Sequence, residues 1–275
     1  MSFFDRLADR ISATDSVVCV GLDPALDRLP ESVMDARLPR WAFNRRIIDA
    51  THPHVAAYKP NIAFYEDSIG WESLAETIAY AAGKDVPIIL DAKRADIGNT
   101  ARQYARLLDP DAYGLNSAAP DAITVNPFLG EDSLRPFLDR SDKGVFVLCR
   151  TSNPGGSDIQ NIVTDDGTTV YERIASLAAE WDTYGNVGLV VGATASDELE
   201  TIRDRVPSLP FLVPGVGAQG GDAAAAVSAG LADGVGVINS SRGIIFADPT
   251  GSERFDAAAR SAVKQLQNRL NRHRE

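Results

Sequence analysis

The chain has 275 residues, of which 44% are hydrophobic and 24% are charged, and its formal net charge is -11. The length fits one α/β barrel, typically about 250 residues, and the composition allows a packed core and argues against global disorder. The negative charge argues against binding to nucleic acid or to an anionic membrane surface. Because the sequence has no apolar run of about 18 residues and no secretory signal pattern at its start, we expect a cytoplasmic protein.

Apolar runs typical of strands buried on both faces alternate eight times with longer helical patterns. A short amphipathic helix at the N-terminus is expected to cover the lower end of a barrel. The strands are predicted at 17–22, 55–59, 86–93, 122–125, 144–150, 187–191, 211–214 and 234–238. The helices are predicted at 41–51, 71–83, 99–108, 132–139, 169–184, 196–206, 222–229 and 253–269. Eight such units without a break in composition predict one α/β domain over residues 1–275, a (β/α)8 TIM barrel with a short N-terminal helix. A doubly wound open sheet is the less favoured alternative.

Residue usage adds two expectations. Only five of the 27 basic residues are lysines, and an acidic surface rich in arginine supports the hypothesis of a salt-adapted, halophilic organism. Because lysines are so few, we expect them to have a role other than solvating the surface. Cys19 and Cys149 lie inside apolar runs, which favours two buried thiols in a reducing compartment over a disulfide.

Polar residues follow several predicted strands, at the end of a barrel where active sites lie. The long segment 151–168 follows the fifth strand and is typical of a lid or binding loop. The third strand ends in a D-x-K-x-x-D motif formed by Asp91, Lys93 and Asp96. Because side chains alternate along a strand, Asp91 and Lys93 should point the same way, and Lys59 and Asp96 would complete an alternating set of four charges. Such a set keeps a lysine protonated and aimed, as a proton donor requires.

Other interpretations of these charges remain open. If the strand does not direct these charged side chains into the barrel, they form a solvated cluster on a loop. Asp23, Asp91 and Asp96 would suit Mg2+, although the interleaved lysines would compete for the carboxylates. A Schiff base on Lys93 or Lys59 is disfavoured because flanking carboxylates stabilise the charged, non-nucleophilic amine. The histidines lie away from the predicted strand ends, which argues against His-based triads and most zinc sites.

A glycine-rich run after the seventh strand, residues 215–220, spells G-x-G-x-x-G. It matches the dinucleotide fingerprint weakly, since it lies late in the chain and no acidic residue ends a following strand about 20 residues on. We favour an anion-binding loop, because the loops after strands seven and eight form the usual phosphate site of such barrels. Arg242, after the eighth strand, would add the forked positive charge that suits phosphate. The alternative is a surface arginine beside a flexible loop.

These segments together carry a family resemblance. The run D-x-K-x-x-D-I-G-N-T over residues 91–100 resembles the signature of orotidine 5′-phosphate decarboxylases. Its combination with Lys59, Ser152, Gln219 and Arg242 is more specific than the short motif, and the resemblance covers nearly the whole barrel. The insertion after strand five is similar to that of the longer prokaryotic members. The resemblance implies decarboxylation of orotidine 5′-phosphate to UMP, the last step of de novo pyrimidine biosynthesis, with no metal and no cofactor.

The resemblance also implies the catalytic roles. Lys93 would protonate C6 of the pyrimidine as CO2 leaves, and Asp91 would sit beside the departing carboxylate. Lys59 and Asp96 would complete the charge network. The active sites would be shared within a homodimer, with Asp96 and Thr100 reaching into the neighbour's site.

The implied substrate contacts come from several strand ends. Asp23 and Lys59 would hold ribose hydroxyls, and Ser152 would bond to the amide edge of the pyrimidine. The phosphate would be held by side chains and one backbone N–H after strands seven and eight. The full substrate-binding set is Asp23, Lys59, Thr100, Ser152, Pro214, Gln219, Ser241 and Arg242.

Two functional alternatives accompany this expectation. One is a Mg2+-dependent sugar-phosphate lyase or aldolase of the same suprafamily, which shares D-x-K-x-x-D. The other is a pseudoenzyme that binds UMP-like ligands. Lys59 and Ser152 argue against the first, and intact Asp91, Lys93 and Asp96 argue against the second.

Overall fold

The computed structural model describes residues 1–114, 118–193, 196–216, 223–231, 235–249 and 254–274. The strands in these ranges are β1 (Val18–Leu22), β2 (Ala57–Pro60), β3 (Ile89–Arg94), β4 (Ala122–Val125), β5 (Gly144–Arg150), β6 (Val187–Val191), β7 (Phe211–Pro214) and β8 (Gly236–Ser240). The α-helices are α1 (Phe3–Thr14), α2 (Glu31–Met34), α3 (Pro39–Thr51), α4 (Gly70–Ala82), α5 (Gly98–Ala105), α6 (Glu131–Leu138), α7 (Ser157–Gln160), α8 (Val170–Trp181), α9 (Ser196–Arg205), α10 (Ala223–Ser228), α11 (Arg242–Ile245) and α12 (Phe255–Asn271). None of these helices is long and apolar enough to cross a membrane.

The strands form one parallel sheet in the order β2-β1-β8-β7-β6-β5-β4-β3. Two parallel bridges, Tyr58 with Ile88 and Asn61 with Asp91, connect the two edge strands and bring the sheet close to closure. Strands buried on both faces need helices outside and a packed interior, which is why the apolar runs alternate with helical segments. The prediction of a (β/α)8 barrel with an N-terminal helix is confirmed.

Helix α1 covers the lower, amino-terminal end of the barrel, as expected. Ser2 and Asp5 form a capping box that fixes its start. Phe3 is fully buried and meets the Phe146 ring edge-on, with centroids 6.0 Å apart. A Cβ at Gly144 would lie 2.2 Å from the Phe3 ring, so the close approach of β5 to the helix requires glycine there. The lower end of the barrel is therefore filled by buried apolar side chains.

The barrel interior changes from apolar to polar along the strands. Ala57, Ile89, Ala122 and Val237 belong to the same buried cluster as the α1 phenylalanines. Residues two positions further along each strand point into the same interior because side chains alternate. Those residues are all polar and all buried, namely Lys59, Asp91, Thr124 and Asn239. The carboxyl ends of the strands therefore surround a polar interior, where the sequence predicts the active site.

The predicted boundaries hold best for four consecutive strands. Strands β4 to β7 begin and end at the predicted residues, whereas β8, predicted to end at residue 238, continues to Ser240. The segment 151–168 is more ordered than its composition indicates. It contains α7 and a tight turn with Gly167 at a φ of 84°. Both cysteines are free and buried, as predicted.

Candidate active site

The buried carboxylate of Asp91 lies between two lysines. The Lys59 Nζ donates to one carboxylate oxygen at 2.8 Å, and the Lys93 Nζ donates to the other at 2.6 Å. The Thr124 hydroxyl donates to the second oxygen at 2.9 Å. Lys59 is as buried as Asp91, while 47% of the Lys93 side chain is exposed. The arrangement fixes Asp91 and leaves the Lys93 ammonium facing the open end of the barrel.

The two buried charges stabilise each other. Burial alone would raise the pKa of Asp91, but the Lys59 and Lys93 ammonium groups outweigh it and hold that pKa well below its ordinary value. Burial alone would lower the pKa of Lys59, but Asp91 and then Asp23 outweigh it and raise that pKa. Both groups are therefore charged at neutral pH.

Lys93 reaches Asp91 by an irregular backbone. Its φ is 50°, in the left-handed region that non-glycine residues rarely adopt, and the β3–β4 register shifts between Leu90 and Arg94. The Thr124 hydroxyl accepts the Lys93 backbone N–H at 3.0 Å and supports this bulge. A left-handed residue costs about 1–2 kcal/mol. Asp91 and Lys93 thus meet as expected, but through a strained bulge instead of regular alternation.

Asp96 lies apart from this cluster within the chain. It is half-buried, and its carboxylate accepts the backbone N–H of Ile97 at 2.8 Å. Among the described residues it forms no ion pair with either active-site lysine. Thr100 is exposed on α5. The expected set of four charges is therefore a set of three inside one barrel.

Asp23 forms a polar corner with the ends of β1 and β8. The Ser241 hydroxyl donates to the Gly21 carbonyl at 3.1 Å. A Cβ on Gly21 would lie 2.6 Å from the Ser241 Cβ and 3.3 Å from an Asp23 carboxylate oxygen, so glycine keeps this corner open. The buried Oδ1 of Asp23 has no hydrogen-bond partner among the described residues. A buried acceptor without a donor is costly, which makes Asp23 a candidate for contact with a ligand.

The other predicted contacts also lie at strand ends. Ser152 follows β5, and a Cβ on Gly192, after β6, would lie 2.8 Å from it. Pro214 ends β7 and pairs with Asn239 of β8. Arg242 is exposed as the first residue of α11. Gln219 and most of the glycine-rich run fall outside the described residues.

Two site residues were missed by the sequence analysis. Thr124 bonds both to the Asp91 carboxylate and to the Lys93 backbone. Asn239 is 8% exposed, and its buried Oδ1 has no partner among the described residues. Each follows an inward apolar residue by two positions, so strand alternation was the available signal.

The carboxylates do not assemble a metal site within the described part of the chain. No group of three or more His, Cys, Asp or Glu side chains there is placed to hold an ion. Both oxygens of Asp91 already accept from ammonium groups. The donor set fits a charge network better than it fits Mg2+.

A (β/α)8 barrel with paired buried charges at the carboxyl ends of its strands is typical of an enzyme, because active sites of this fold lie there. Residues 16–254 match the family model described as "Orotidine 5'-phosphate decarboxylase / HUMPS family". The orotidine 5'-phosphate decarboxylase of Haloarcula marismortui is 66% identical over 282 residues, which cover 100% of both chains. That of Natronomonas pharaonis is 64% identical over 276 residues, again covering 100% of both.

A solved structure agrees with these sequence relatives. The orotidine monophosphate decarboxylase of Leishmania donovani superimposes with a TM-score of 0.83 at 40% identity, over 100% of this chain and 99% of that chain. The chain therefore belongs to the orotidine 5′-phosphate decarboxylase family. Its sequence relatives include proteins of halophilic archaea, in line with the acidic composition.

Proposed function

We propose that this chain is a carboxy-lyase that converts orotidine 5′-phosphate to UMP and CO2 without a cofactor, the last step of de novo pyrimidine biosynthesis. The observation that carries the proposal is the buried array in which Asp91 accepts from Lys59 at 2.8 Å and from Lys93 at 2.6 Å. The full-length relatives with 64% and 66% identity carry the same activity in their names.

The chemistry requires one bond to break and one proton to arrive. The bond between C6 and the carboxyl carbon breaks, CO2 leaves, and the electron pair stays on C6. Lys93 gives C6 a proton from its half-exposed ammonium and later recovers a proton from solvent. Asp91 sits beside the substrate carboxylate, and loss of CO2 removes the repulsion between the two charges. The fixed ammonium groups stabilise the negative charge as it grows in the transition state.

The rest of the substrate is held by the rim of the barrel. Asp23 and Lys59 bind ribose hydroxyls, which would give the Asp23 Oδ1 the donor it lacks. Ser152 bonds to the amide edge of the pyrimidine, near Pro214. Gln219, the Arg242 guanidinium and the Ser241 backbone N–H hold the phosphate. Because the phosphate is remote from the breaking bond, its binding energy can drive closure of the loops around the ring.

The complete site is proposed to form in a homodimer, with Asp96 and Thr100 entering the neighbour's barrel. Asp96 forms no ion pair with the lysines of its own barrel among the described residues. The next residue, Ile97, is apolar and 62% exposed. Contact with a second copy of the chain would bury Ile97 and could bring Asp96 to the neighbour's lysines.

Hybrid dimers test this sharing. Asp96→Ala and Lys93→Ala are each expected to be inactive alone. In a mixed dimer, the barrel that keeps Lys93 receives Asp96 from its Lys93→Ala partner, so one of two sites is complete. Random mixing of the two variants makes about half of the dimers mixed. About a quarter of all sites are then complete, so about a quarter of wild-type turnover should return. An absence of rescue in verified mixed dimers would place Asp96 in the site of its own chain.

We further propose that the enzyme works in the cytoplasm on small nucleotides and does not bind nucleic acid or membranes. The net charge of -11 opposes contact with polyanions. Two buried free thiols suit a reducing compartment.

The alternatives are less well supported. A Mg2+-dependent sugar-phosphate lyase or aldolase would need free carboxylate oxygens, and both oxygens of Asp91 accept from lysines. A UMP-binding pseudoenzyme would not need to retain the strained backbone that holds Lys93 beside the buried Asp91.

One assay separates these functions. Purified protein treated with EDTA is expected to deplete the absorbance of orotidine 5′-phosphate as fast as untreated protein. Turnover that requires added Mg2+ would favour the lyase or aldolase. Tight UMP binding without turnover would favour the pseudoenzyme.

A further inference from the structure

The segment after β5 is tied down by one side chain, Gln160, at the end of α7. Its Oε1 accepts the Thr151 backbone N–H at 3.0 Å and lies 3.3 Å from both the Arg150 Nη1 and the Thr151 hydroxyl. Its Nε2 donates to the same hydroxyl at 2.9 Å. A carboxamide suits this position because it both donates and accepts.

Arg150 reinforces the same contact from the end of the strand. Its Nη1 donates to the Thr151 carbonyl at 2.6 Å, and its Nη2 lies 3.5 Å from Glu198 on α9. The guanidinium is nine-tenths buried, so these bonds are shielded from water. Thr151 is therefore fixed at its N–H, its carbonyl and its hydroxyl.

Glycines let the chain close around this cluster. A Cβ on Gly156 would lie 2.8 Å from the Arg150 Nη1 and 2.9 Å from the Gln160 Oε1. The Gly192 N–H donates to the Arg150 carbonyl at 2.8 Å, and a Cβ there would lie 2.8 Å from Ser152. Ser152 is thus placed between the fixed Thr151 and the backbone after β6.

We propose that Gln160 is a positioning residue that holds Ser152 where it recognises the amide edge of the pyrimidine. This inference rests on the proposed function, because Ser152 needs a ligand to recognise. Gln160 does not touch the substrate. It fixes the backbone of Thr151, and Ser152 follows directly in the chain. Loss of the Gln160 side chain should therefore weaken substrate binding by no more than loss of the Ser152 side chain does.

A double-mutant cycle tests the proposal. We expect Ser152→Ala and Gln160→Ala each to raise KM for orotidine 5′-phosphate and Kd for UMP by roughly tenfold. The double variant should be no weaker than Ser152→Ala alone, because Gln160 acts through Ser152. Gln160→Glu keeps the acceptor for Thr151 and Arg150 and should recover most of the affinity. The neighbouring exposed Asn161→Ala is the matched control and should equal wild type.

Several outcomes would overturn the proposal. Multiplicative effects of the two substitutions, or an unchanged KM in Gln160→Ala, would show that Gln160 does not act through Ser152. A lower Tm in Gln160→Ala with normal KM would reduce its role to loop stability. Should Gln160→Ala fail to fold, Gln160→Met, which keeps the length of the side chain but loses its acceptor and its donor, replaces it in the cycle and is judged by the same criterion of additivity. Wild-type protein that neither turns over orotidine 5′-phosphate nor binds UMP would overturn the proposed function itself, and this inference with it.

Discussion

The two ends of the barrel bury different kinds of side chain. At the lower end, the Phe3 and Phe146 rings meet edge-on within a cluster of buried apolar residues. At the upper end, Lys59 and Asp91 are also buried but charged. The lower end contributes stability through apolar burial, whereas the upper end holds charges whose burial is favourable only while they remain paired.

The upper end also keeps groups that the protein alone does not satisfy. The Oδ1 atoms of Asp23 and Asn239 are buried without partners among the described residues, and Lys93 has a strained backbone. Unsatisfied acceptors and strain reduce stability and are typical of places prepared for a ligand. Changes at the lower end should therefore affect folding alone, whereas changes at the upper end should affect turnover and, where they leave a buried charge unpaired, folding as well.

The largest effect is expected where the two roles coincide, at Asp91. Asp91→Asn removes the charge between the lysines while preserving shape. We expect turnover to fall at least about 1000-fold, and the free energy of unfolding to fall by about 3–5 kcal/mol because Lys59 stays buried without its partner. Steady-state kinetics and urea unfolding measure both, with the exposed Asp142→Asn as control. Normal stability in Asp91→Asn would mean that the buried pair is not what holds the upper end together.

Phe3→Ala is expected to affect only the lower end. Loss of a fully buried phenylalanine costs about 3–5 kcal/mol in the free energy of unfolding. The exposed Tyr184→Ala should change it by less than about 0.5 kcal/mol. Below the melting temperature, kcat of Phe3→Ala should stay near wild type. A large fall in kcat of the folded variant would contradict the separation of the two ends.

Arg242→Ala should weaken the upper end without unfolding it. The guanidinium is exposed at the start of α11, so its removal should leave Tm unchanged. We expect kcat/KM to fall roughly 100-fold, because a charge-assisted contact to phosphate also supports the transition state. Arg272→Ala at the end of the last helix serves as the matched control. Unchanged kcat/KM in Arg242→Ala would remove this residue from the phosphate site.

The smallest effect concerns pH. Because the pKa of Asp91 is lowered, its stabilisation is present above the ordinary carboxyl pKa of about 4 and is lost as pH falls through the lower folded value. Because the pKa of Lys59 is raised, its stabilisation is present below about pH 10 and is lost above the folded value. In wild type, neither group should therefore titrate between about pH 5 and pH 9, which an NMR titration of the Asp91 carboxyl and the Lys59 amine would check. A titration midpoint of either group within that range would show that the pair is not fully charged there.

The sequence predicts the architecture better than it predicts the site. The predicted bounds of β4 to β7 match the observed ones, but β8 was predicted to end before Asn239 because its last residues are polar. Asn239 lies two positions after the inward Val237 and so faces the polar interior, which only the closed barrel reveals. The left-handed Lys93 depends on a bulge stabilised by Thr124 from the next strand. Contacts between distant residues of this kind leave no local pattern in the sequence.

The residue pattern predicted that Asp91, Lys93 and Asp96 belong to one set of charges, whereas the family resemblance implied that Asp96 serves the neighbouring barrel. Asp91 and Lys93 lie 2.6 Å apart at their charged atoms, while Asp96 turns to the backbone of Ile97. Spacing along the sequence does not tell which carboxylate serves which barrel.

In the proposed mechanism Lys93 supplies the proton, while the rest of the upper end supplies binding. Measuring both orotidine 5′-phosphate turnover and UMP affinity in Lys93→Ala separates these two roles. We expect turnover to fall at least about 1000-fold, with Kd for UMP within about tenfold of wild type and Tm unchanged. Substantial turnover in Lys93→Ala would contradict the account, because the proton would then come from another group.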